Sequence, residues 1–317
     1  MKILLTDSAT LRSKGDLSLD GFKKFGDVKE YENISRADLL EEVKDTDIIL
    51  CNKTIIDDEV FSNAPNLKYV GLFATGYNNI DVKAAKELGI TVCNAGSYST
   101  DAVAQHTFGF ILNNYTRIAD YSRFVLSGGW SESRVFSPVV FPTDEIKGKT
   151  LGIIGYGSIG RKVAEIARVF GMRVIVHTRT VREDGVTEFV SLDELLSSSD
   201  IISLHCPLTA ENTGMFNNDT FAKCKNGAYF INTARGGLVN EQALFDALES
   251  GKLSGAAVDV ICTEPMPKDC VLLKAKNITI TPHSAWTPFT TRNRVLEIAR
   301  QNYEAFLSGT PQNVVSK

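Results

Sequence analysis

The sequence predicts an α/β protein built from two doubly wound parallel-sheet domains, and three observations support that prediction. Short apolar segments alternate with helical patterns along most of the chain, as expected of parallel strands joined by crossover helices. A second round of this alternation starts near Thr150, where an apolar segment leads into a glycine-rich turn. The length of 317 residues suits two domains, at roughly 100–200 residues each.

The first round of alternation occupies about the first hundred residues. Helical patterns cover Ser35–Val43 and Val82–Leu88. The predicted strands are four short apolar segments: Lys2–Leu5, Asp47–Cys51, Tyr69–Phe73 and Thr91–Cys93. We expect these strands to form one parallel sheet with helices on its faces.

A long helix is predicted to follow over Asp101–Leu126. Thr100 or Asp101 can cap its start, and two glycines end it. The next stretch, Ser131–Lys149, is polar, has little periodicity and contains two prolines. We therefore expect a loop that leads toward the next strand.

The second round of alternation contains six predicted strands, most of them separated by helical segments, which is the doubly wound nucleotide-binding pattern. A final helix, Thr290–Leu307, comes after this block and can pack back on the first domain. We predict one domain from residues 1–99 plus 290–317 and another from residues 100–289. The six strands are Thr150–Ile154, Arg173–His177, Ile201–His205, Ala228–Asn232, Ala256–Val260 and Ile278–Thr281.

Charge and composition exclude several classes of function. The formal net charge of −4 argues against a nucleic-acid-binding protein, which usually has a basic face. No apolar run approaches the roughly 20 residues that span a bilayer, and the N-terminus lacks the pattern of a secretory signal. The six cysteines form no C-x-x-C pair, so we predict reduced thiols and no metal site. These features predict a cytoplasmic protein without nucleic-acid or membrane partners.

The strongest local signal is a G-x-G-x-x-G motif made by Gly155, Gly157 and Gly160. An apolar strand precedes it and a helical pattern follows, as in a dinucleotide-binding turn. The first glycine allows the tight turn, the second lets the backbone approach a pyrophosphate, and the third lets helix and strand pack closely. The pyrophosphate would lie at the positive end of the helix.

The end of the following strand indicates which nicotinamide dinucleotide is bound. An acid usually holds the ribose 2′-hydroxyl about 20 residues after the glycines, but Thr178 occupies that place and no carboxylate follows until Glu183. Arg179, with Thr178 and Thr180, could instead grip a 2′-phosphate through charge-assisted hydrogen bonds. We therefore expect NADP(H) in preference to NAD(H). The alternative is a solvated Arg179 and an NAD(H) held through its ribose without the acid.

Three residues of the second block carry groups suited to acid–base chemistry on a substrate with a carboxylate: a cation that can bind the carboxylate, an imidazole that can donate a proton, and an acid. Arg235 follows an apolar strand on a turn of small residues, and arginine can bind both carboxylate oxygens at once. His283 follows another strand, at the edge where such sheets bind ligands. Glu264 lies between them in sequence, and a carboxylate beside an imidazole favours the charged imidazolium.

Each of these three residues also has a structural alternative. Arg235 could belong to an ion pair, Glu264 could be a surface loop acid, and His283 could be a hydrogen-bonded core histidine. Their shared placement after sheet strands favours the catalytic interpretation, because ligands of doubly wound sheets bind at that edge. The residues alone leave the structural alternatives open.

Several stretches resemble the D-isomer-specific 2-hydroxyacid dehydrogenase family over about residues 45–315. Together these independent motifs are far more specific than the glycine turn alone. Within the family, residues 98–108, 231–244 and 283–286 look most like glycerate dehydrogenases, also called hydroxypyruvate reductases. The matching stretches are Thr75–Asp81, Tyr98–His106, Gly155–Gly160, His205–Thr209, Asn232–Gly237, Asp259–Pro265 and Pro282–Trp286.

The resemblance implies a flavodoxin-like substrate domain, a Rossmann nucleotide-binding domain and an active-site cleft between the domains. Arg235 would bind the substrate carboxylate and polarise the carbonyl group. His283 would be the general acid in reduction and the general base in oxidation, and Glu264 would pair with it. The product of reduction would be a D-2-hydroxy acid.

The resemblance also implies residues that bind substrate and cofactor. Backbone N–H groups near Thr75 and Gly76 would hold the carboxylate, and Tyr98 and Trp286 would flank the substrate. Asp259 would bond the nicotinamide amide. The other residues expected to contact the dinucleotide are Gly155, Tyr156, Gly157, Ser158, Ile159, Gly160, Thr178, Arg179, Thr180, Cys206, Pro207, Thr233 and Ala234.

A homodimer formed through Asp101–Leu126 is a further implication of the resemblance. The expected reaction is reduction of hydroxypyruvate or glyoxylate by NAD(P)H. Two departures from the family pattern, Ser158 in place of a common arginine and the pair Thr287-Pro288, leave the substrate open. The alternatives are a D-lactate-type 2-oxo acid reductase and a non-catalytic, co-repressor-like protein that senses dinucleotides.

Overall fold

The computed structural model describes residues 1–181 and 185–316. The chain forms two compact units, one of residues 1–99 with 287–317 and the other of residues 100–286. The first unit is discontinuous in sequence, because the chain leaves it after Ser99 and returns to it at Thr287, where the sequence predicts a return at residue 290. Within the described residues, no helix has the length and apolar content needed to cross a membrane.

The sheet of the first unit has five parallel strands: β1 (Lys2–Leu5), β2 (Asp27–Glu30), β3 (Ile48–Cys51), β4 (Tyr69–Leu72) and β5 (Thr91–Cys93). Their order is β2-β1-β3-β4-β5. This is the flavodoxin-like order, and it confirms the predicted fold of this domain. The sequence does not reveal β2, because this edge strand is mostly exposed and carries no apolar pattern.

Three short helices lie between these strands: α1 (Arg36–Glu42), α2 (Asp58–Ser62) and α3 (Val82–Glu87). Each begins after a side chain that accepts a hydrogen bond from a first-turn amide. Such a cap contributes about 1 kcal/mol, which matters because short helices are marginal by themselves. The structure confirms the predicted helices at residues 35–43 and 82–88, whereas α2 was not predicted. The three capping residues are Ser35, Asp57 and Asp81.

The sheet of the second unit has seven parallel strands: β6 (Thr150–Ile154), β7 (Arg173–His177), β8 (Glu188–Phe189), β9 (Ile201–Leu204), β10 (Ala228–Asn232), β11 (Leu253–Val258) and β12 (Ile278–Ile280). Their order is β8-β7-β6-β9-β10-β11-β12. The first six follow the Rossmann order 3-2-1-4-5-6, which confirms the prediction. The order reverses between β6 and β9, where such sheets bind their ligands.

Both faces of the second sheet are buried, which explains its almost continuous apolar strands. In β10, Phe230 belongs to one buried cluster, whereas Tyr229 and Ile231 belong to another. In β6, Ile154 belongs to the cluster of Phe230, and Ile153 belongs to the cluster of Tyr229 and Ile231. Each such side chain contributes roughly 1.5–3 kcal/mol through burial. The sheet is therefore a rigid platform for the loops at its carboxyl edge.

The helices of the second unit are α4 (Thr100–Thr116), α5 (Ile118–Leu126), α6 (Ser158–Val169), α7 (Leu192–Ser198), α8 (Asn218–Lys223) and α9 (Glu241–Glu249). The prediction of one continuous helix over Asp101–Leu126 is wrong, because the chain breaks at Arg117 with φ of +55°. The Arg117 N–H closes the last turn of α4 on the Asn113 carbonyl, and its Nε lies 2.6 Å from the Asp120 carboxylate in α5. No glycine or proline marks this break. Residues 131–149, all described, contain no helix or strand, as predicted.

The last helix, α10 (Phe289–Leu307), belongs to the first unit. Its buried side chains include Val295, Ala299 and Tyr303. The Tyr303 ring centroid lies 5.3 Å from that of Tyr69 in β4. The C-terminal helix therefore covers part of the first sheet, which explains why this unit is made from both ends of the chain.

Candidate active site

The glycine turn joins β6 to α6. Gly155 has φ of +95°, and a Cβ there would lie 2.6 Å from the Cys206 nitrogen. A Cβ on Gly160 would collide with the Gly155 carbonyl oxygen. By contrast, a Cβ on Gly157 would meet no described atom within 4 Å. Packing within the protein thus requires the first and third glycines, whereas the second leaves open space that a pyrophosphate can use.

The start of α6 suits an anion. Gly157 is the N-cap residue of this helix, and no side chain caps it. The first-turn amides of a helix carry a partial positive charge, so they attract phosphate groups. Tyr156, Ser158 and Ile159, three residues predicted to contact the dinucleotide, are at this turn. The residues present therefore fit a nicotinamide dinucleotide.

The end of β7 contains no acid. Thr178 is half-buried, and Arg179 and Thr180 are exposed. Glu183, the next carboxylate in the sequence, lies outside the described residues. A hydrogen bond with Thr209 lowers the pKa of the Glu211 carboxyl, and the charge of Arg179 also lowers it. The charge of Arg179 therefore acts on Glu211, a residue that follows β9 in the chain.

The chain beyond β9 and β10 supplies the other predicted cofactor contacts. Cys206 is partly buried and Pro207 exposed after β9, while Thr233 and Ala234 are buried after β10. His205 precedes them, and its Nε2 lies 2.9 Å from the Ser203 hydroxyl. Burial lowers the pKa of His205 to about 3, so this imidazole is neutral near pH 7 and is not a proton donor.

A local network sets the backbone at Arg235. The Asn232 side chain donates to the Arg235 carbonyl (2.9 Å) and accepts from the Ala234 amide (3.0 Å). The Arg235 guanidinium donates to the Ala234 carbonyl (2.7 Å). A Cβ on Gly236 would overlap the main chain of Ile261, so this glycine lets the Arg235 turn pack against the segment before Glu264. Asn232 is a positioning residue that the sequence reasoning missed, although a polar residue ending an apolar strand is a detectable signal.

Asp259 follows β11 and is buried, with 2% of its surface exposed. Its carboxylate accepts hydrogen bonds from the Thr281 hydroxyl (2.5 Å) and from the amides of Ser284 (2.8 Å) and Ala285 (2.9 Å). Its carbonyl accepts from the His283 amide (2.7 Å). Asp259 thus shapes the turn that contains His283, a role that sequence reasoning did not assign to it.

His283 and Glu264 form a direct pair. The His283 Nδ1 lies 2.7 Å from Glu264 Oε2, and their side chains are 25% and 36% exposed. The Ile261 amide donates to the other Glu264 oxygen (3.2 Å). Because the carboxylate accepts, Nδ1 carries a proton, and Nε2 has no hydrogen-bond partner among the described residues. An imidazole held in this way can exchange a proton with a ligand through Nε2.

Three of the four remaining predicted substrate residues, Thr75, Gly76 and Tyr98, belong to the first unit. Thr75 and Gly76 follow β4, and their amides donate no hydrogen bond to another described residue. The Asn94 side chain donates to the Thr75 carbonyl (2.7 Å) and so holds this loop. Tyr98 is buried, and its carbonyl accepts from Arg294 (2.8 Å). Trp286, in the second unit, is buried beside Ala285 in the His283 turn.

Comparisons with known proteins show which family this chain belongs to. A family model for the D-isomer specific 2-hydroxyacid dehydrogenase, NAD binding domain, matches residues 108–285, more than half of the chain. The hydroxypyruvate reductase of Blautia hydrogenotrophica is 42% identical to this chain, and the match covers all of both proteins. The chain belongs to the D-isomer-specific 2-hydroxyacid dehydrogenase family. This confirms the resemblance on which the sequence reasoning relied.

Two further relatives extend the comparison of this 2-hydroxyacid dehydrogenase. The glyoxylate reductase of Korarchaeum cryptofilum is 39% identical over 89% of this chain and 86% of that protein. The solved structure of an acyclic imino acid reductase (Bsp5) in complex with NADPH and D-Arg is 32% identical, with a TM-score of 0.88 over 99% of this chain and 100% of that one. The predicted activity class, an NAD(P)-dependent oxidoreductase that reduces a 2-oxo acid, is confirmed, and the non-catalytic alternative is not favoured.

Proposed function

We propose that this 2-hydroxyacid dehydrogenase reduces hydroxypyruvate or glyoxylate to D-glycerate or glycolate, with Arg235, Glu264 and His283 as its catalytic residues. The observation that carries the proposal is the His283–Glu264 pair at 2.7 Å, which belongs to the same unit as the dinucleotide-binding turn. Hydroxypyruvate and glyoxylate are the substrates named for the two reductase relatives.

Each catalytic side chain has one task in this proposal. The Arg235 guanidinium binds the substrate carboxylate with two parallel hydrogen bonds and polarises the neighbouring carbonyl. His283 donates its Nε2 proton to the carbonyl oxygen during reduction and accepts it back during oxidation. Glu264 keeps the imidazole in the correct tautomer and stabilises its charged form. When bound, the reduced nicotinamide supplies the hydride that C2 receives.

The binding residues complete the proposal. The amides of Thr75 and Gly76 bind the carboxylate, and Tyr98 and Trp286 flank a small substrate. Asp259 accepts a hydrogen bond from the nicotinamide amide. Its carboxylate can do so because its two oxygens can accept more hydrogen bonds than they already accept within the protein. The residues proposed to bind the rest of the dinucleotide are Gly155, Tyr156, Gly157, Ser158, Ile159, Gly160, Thr178, Arg179, Thr180, Cys206, Pro207, Thr233 and Ala234.

Initial rates over a panel of 2-oxo acids test the reaction. The panel pairs hydroxypyruvate, glyoxylate, pyruvate and a branched-chain 2-oxo acid with NADPH and with NADH. We expect the highest kcat/KM with hydroxypyruvate or glyoxylate, measured as loss of the absorbance of the reduced nicotinamide. A preference for pyruvate or the branched acid would favour the D-lactate-type alternative. No oxidation with any acid would overturn the proposed reaction.

We propose NADP(H) as the preferred cofactor, because Arg179 is exposed at the end of β7 and residues 178–180 contain no carboxylate to repel a 2′-phosphate. Arg179→Ala should weaken NADPH binding by about 10- to 100-fold, since a hydrogen bond to a charged group contributes about 1.5–3 kcal/mol. NADH binding should change by less than about threefold. Fluorescence titration with both reduced cofactors measures the difference.

Arg173→Ala is the matched control for this cofactor prediction. Arg173 begins the same strand, β7, and its guanidinium pairs with Glu188 at the surface. Its removal should leave the affinities for NADPH and NADH unchanged. If Arg179→Ala weakened both cofactors equally, the proposed preference would be wrong.

We further propose that the enzyme is a cytoplasmic homodimer. Apolar side chains on α5 and in the loop after it are strongly exposed, with Leu126 at 84%, Phe136 at 92% and Val139 at 85%. Exposed apolar patches mark protein interfaces, and a second copy of this chain would cover this one. Sedimentation should give twice the mass of the chain, whereas a monomer mass would contradict the proposal. The six cysteines, all in the described ranges, form no disulfide, which supports a reducing compartment that cell fractionation can check.

A further inference from the structure

Glu241, the first residue of α9, touches the loop that carries Glu264. Its Oε1 accepts a hydrogen bond from the Cys262 amide (2.7 Å), and its Oε2 lies 3.8 Å from the Cys270 sulfur. The Asn240 side chain caps α9 by accepting from the Ala243 amide, so the start of the helix is well defined. Glu241 therefore binds Cys262, two residues before Glu264, and does so from the fixed start of a helix.

Cys262 joins the same loop to the Arg235 turn. Its sulfur lies 3.5 Å from the Gly236 carbonyl oxygen and 3.4 Å from that of Val239. Burial, together with the charge of Glu241, raises the pKa of the Cys262 thiol to about 11, so it stays protonated and can donate to either carbonyl near neutral pH. The thiol is consequently a structural donor and a poor nucleophile.

A chain of hydrogen bonds leads from Glu241 to the catalytic imidazole. Glu241 binds the Cys262 amide, the adjacent Ile261 amide binds Glu264, and Glu264 binds the His283 Nδ1. We propose that Glu241 is a positioning residue for the Glu264–His283 pair, because it fixes the main chain from which the Glu264 carboxylate reaches the imidazole. This inference rests on the proposed function, in which that pair transfers the proton.

Other charged groups near the His283 turn do not depend on Glu241. The buried Asp259 carboxylate binds the amides of Ser284 and Ala285, and His106 Nε2 lies 3.7 Å from it. The Arg235 guanidinium binds its own turn. A change at Glu241 should therefore act on the imidazole through Glu264.

Glu241→Ala should lower kcat by about 10- to 100-fold, the order of loss expected when a catalytic group is displaced by about 1 Å. We expect kcat to fall more than the KM for the oxo acid rises. This split identifies a positioning role, because a displaced Glu264–His283 pair slows proton transfer without changing how the oxo acid binds.

Two conservative variants separate positioning from folding. Glu241→Gln keeps an oxygen that accepts from the Cys262 amide, so its kcat should lie within about threefold of wild type. Glu241→Asp keeps the negative charge at the helix start, which stabilises α9, but is one methylene shorter and should show the same defect as Glu241→Ala. A folded Glu241→Asp enzyme with wild-type kcat would overturn the inference.

Glu249→Ala is the matched control. Glu249 ends α9, and its carboxylate also accepts from a backbone amide, that of Lys276 (3.1 Å). This variant should keep the wild-type kcat even if its Tm falls. Fluorescence titration should give the same NADPH affinity for every variant, because Glu241 acts on the proton donor alone. If Glu241→Ala has wild-type kinetics while His283→Ala is inactive, this inference is refuted and the proposed function is not. If His283→Ala is active, the proposed function is refuted.

Discussion

His283→Ala is expected to slow the turnover of hydroxypyruvate and glyoxylate by about 10²–10⁴-fold, the range that general acid–base catalysis contributes. Since Nδ1 is bound to Glu264, Nε2 is the nitrogen left to donate a proton. Alanine removes that donor, and the ionised Glu264 carboxylate can only accept hydrogen bonds. Steady-state rates with both substrates at saturating reduced cofactor measure the loss.

His283→Asn separates lost chemistry from backbone strain at this position. His283 has φ of +52°, a left-handed conformation that asparagine adopts more readily than alanine. Asparagine should preserve the turn and still lose kcat to the same extent, because an amide does not release a proton near neutral pH. Both variants should bind NADPH within about threefold of wild type. A folded His283→Asn enzyme with wild-type kcat would show that another group donates the proton.

Arg235→Ala is expected to lower kcat/KM for the oxo acid by about 10²–10⁴-fold. Two charge-assisted hydrogen bonds to the carboxylate would be lost, at about 1.5–3 kcal/mol each, and each 1.36 kcal/mol corresponds to about tenfold. The turn itself should survive, because Asn232 binds the main chain of Ala234 and Arg235 and not the guanidinium. Initial rates over a range of substrate concentrations measure kcat and KM separately.

Arg235→Lys and chemical rescue sharpen this second prediction. Lysine keeps the charge but lacks the planar fork, so its kcat/KM should lie between those of wild type and Arg235→Ala. Added guanidinium ion should restore part of the activity of Arg235→Ala and none of that of His283→Ala, which serves as the control. If the Arg235→Ala enzyme had unchanged KM and kcat, groups other than Arg235 would bind the substrate carboxylate.

Local chemistry along the chain was enough to predict most of the fold. The bounds of β6, β7 and β10 match their apolar segments, because strands buried on both faces are continuous apolar runs. The edge strands β2 and β8 were missed, because residues such as Asp27 and Glu188 face solvent and carry no apolar pattern. The break at Arg117 was also missed, because no glycine or proline marks this residue with positive φ.

The candidate site was only partly predictable from residue types. Arg235, Glu264 and His283 were selected because each follows a strand of the second sheet and suits one step of the chemistry. Nothing in the spacing of Asn232, Glu241 and the three candidates indicates which side chains meet. Contacts between residues far apart in sequence depend on the strand order, and several strand orders satisfy the same alternating pattern.

By itself, the sequence determined the two-domain α/β architecture, the dinucleotide turn and the residue types available for catalysis, because these depend on periodicity and on glycines that tight packing requires. Only the tertiary structure decided that Asp259 holds the turn between Thr281 and Ala285 and that α9 supports the Glu264 loop. It also has the Glu264–His283 hydrogen bond that the family resemblance implied. The physical reason is that β11 pairs with β12, which brings the turns after these strands together. Hydrogen bonds through buried amides then hold the side chains in place, and no local pattern encodes them.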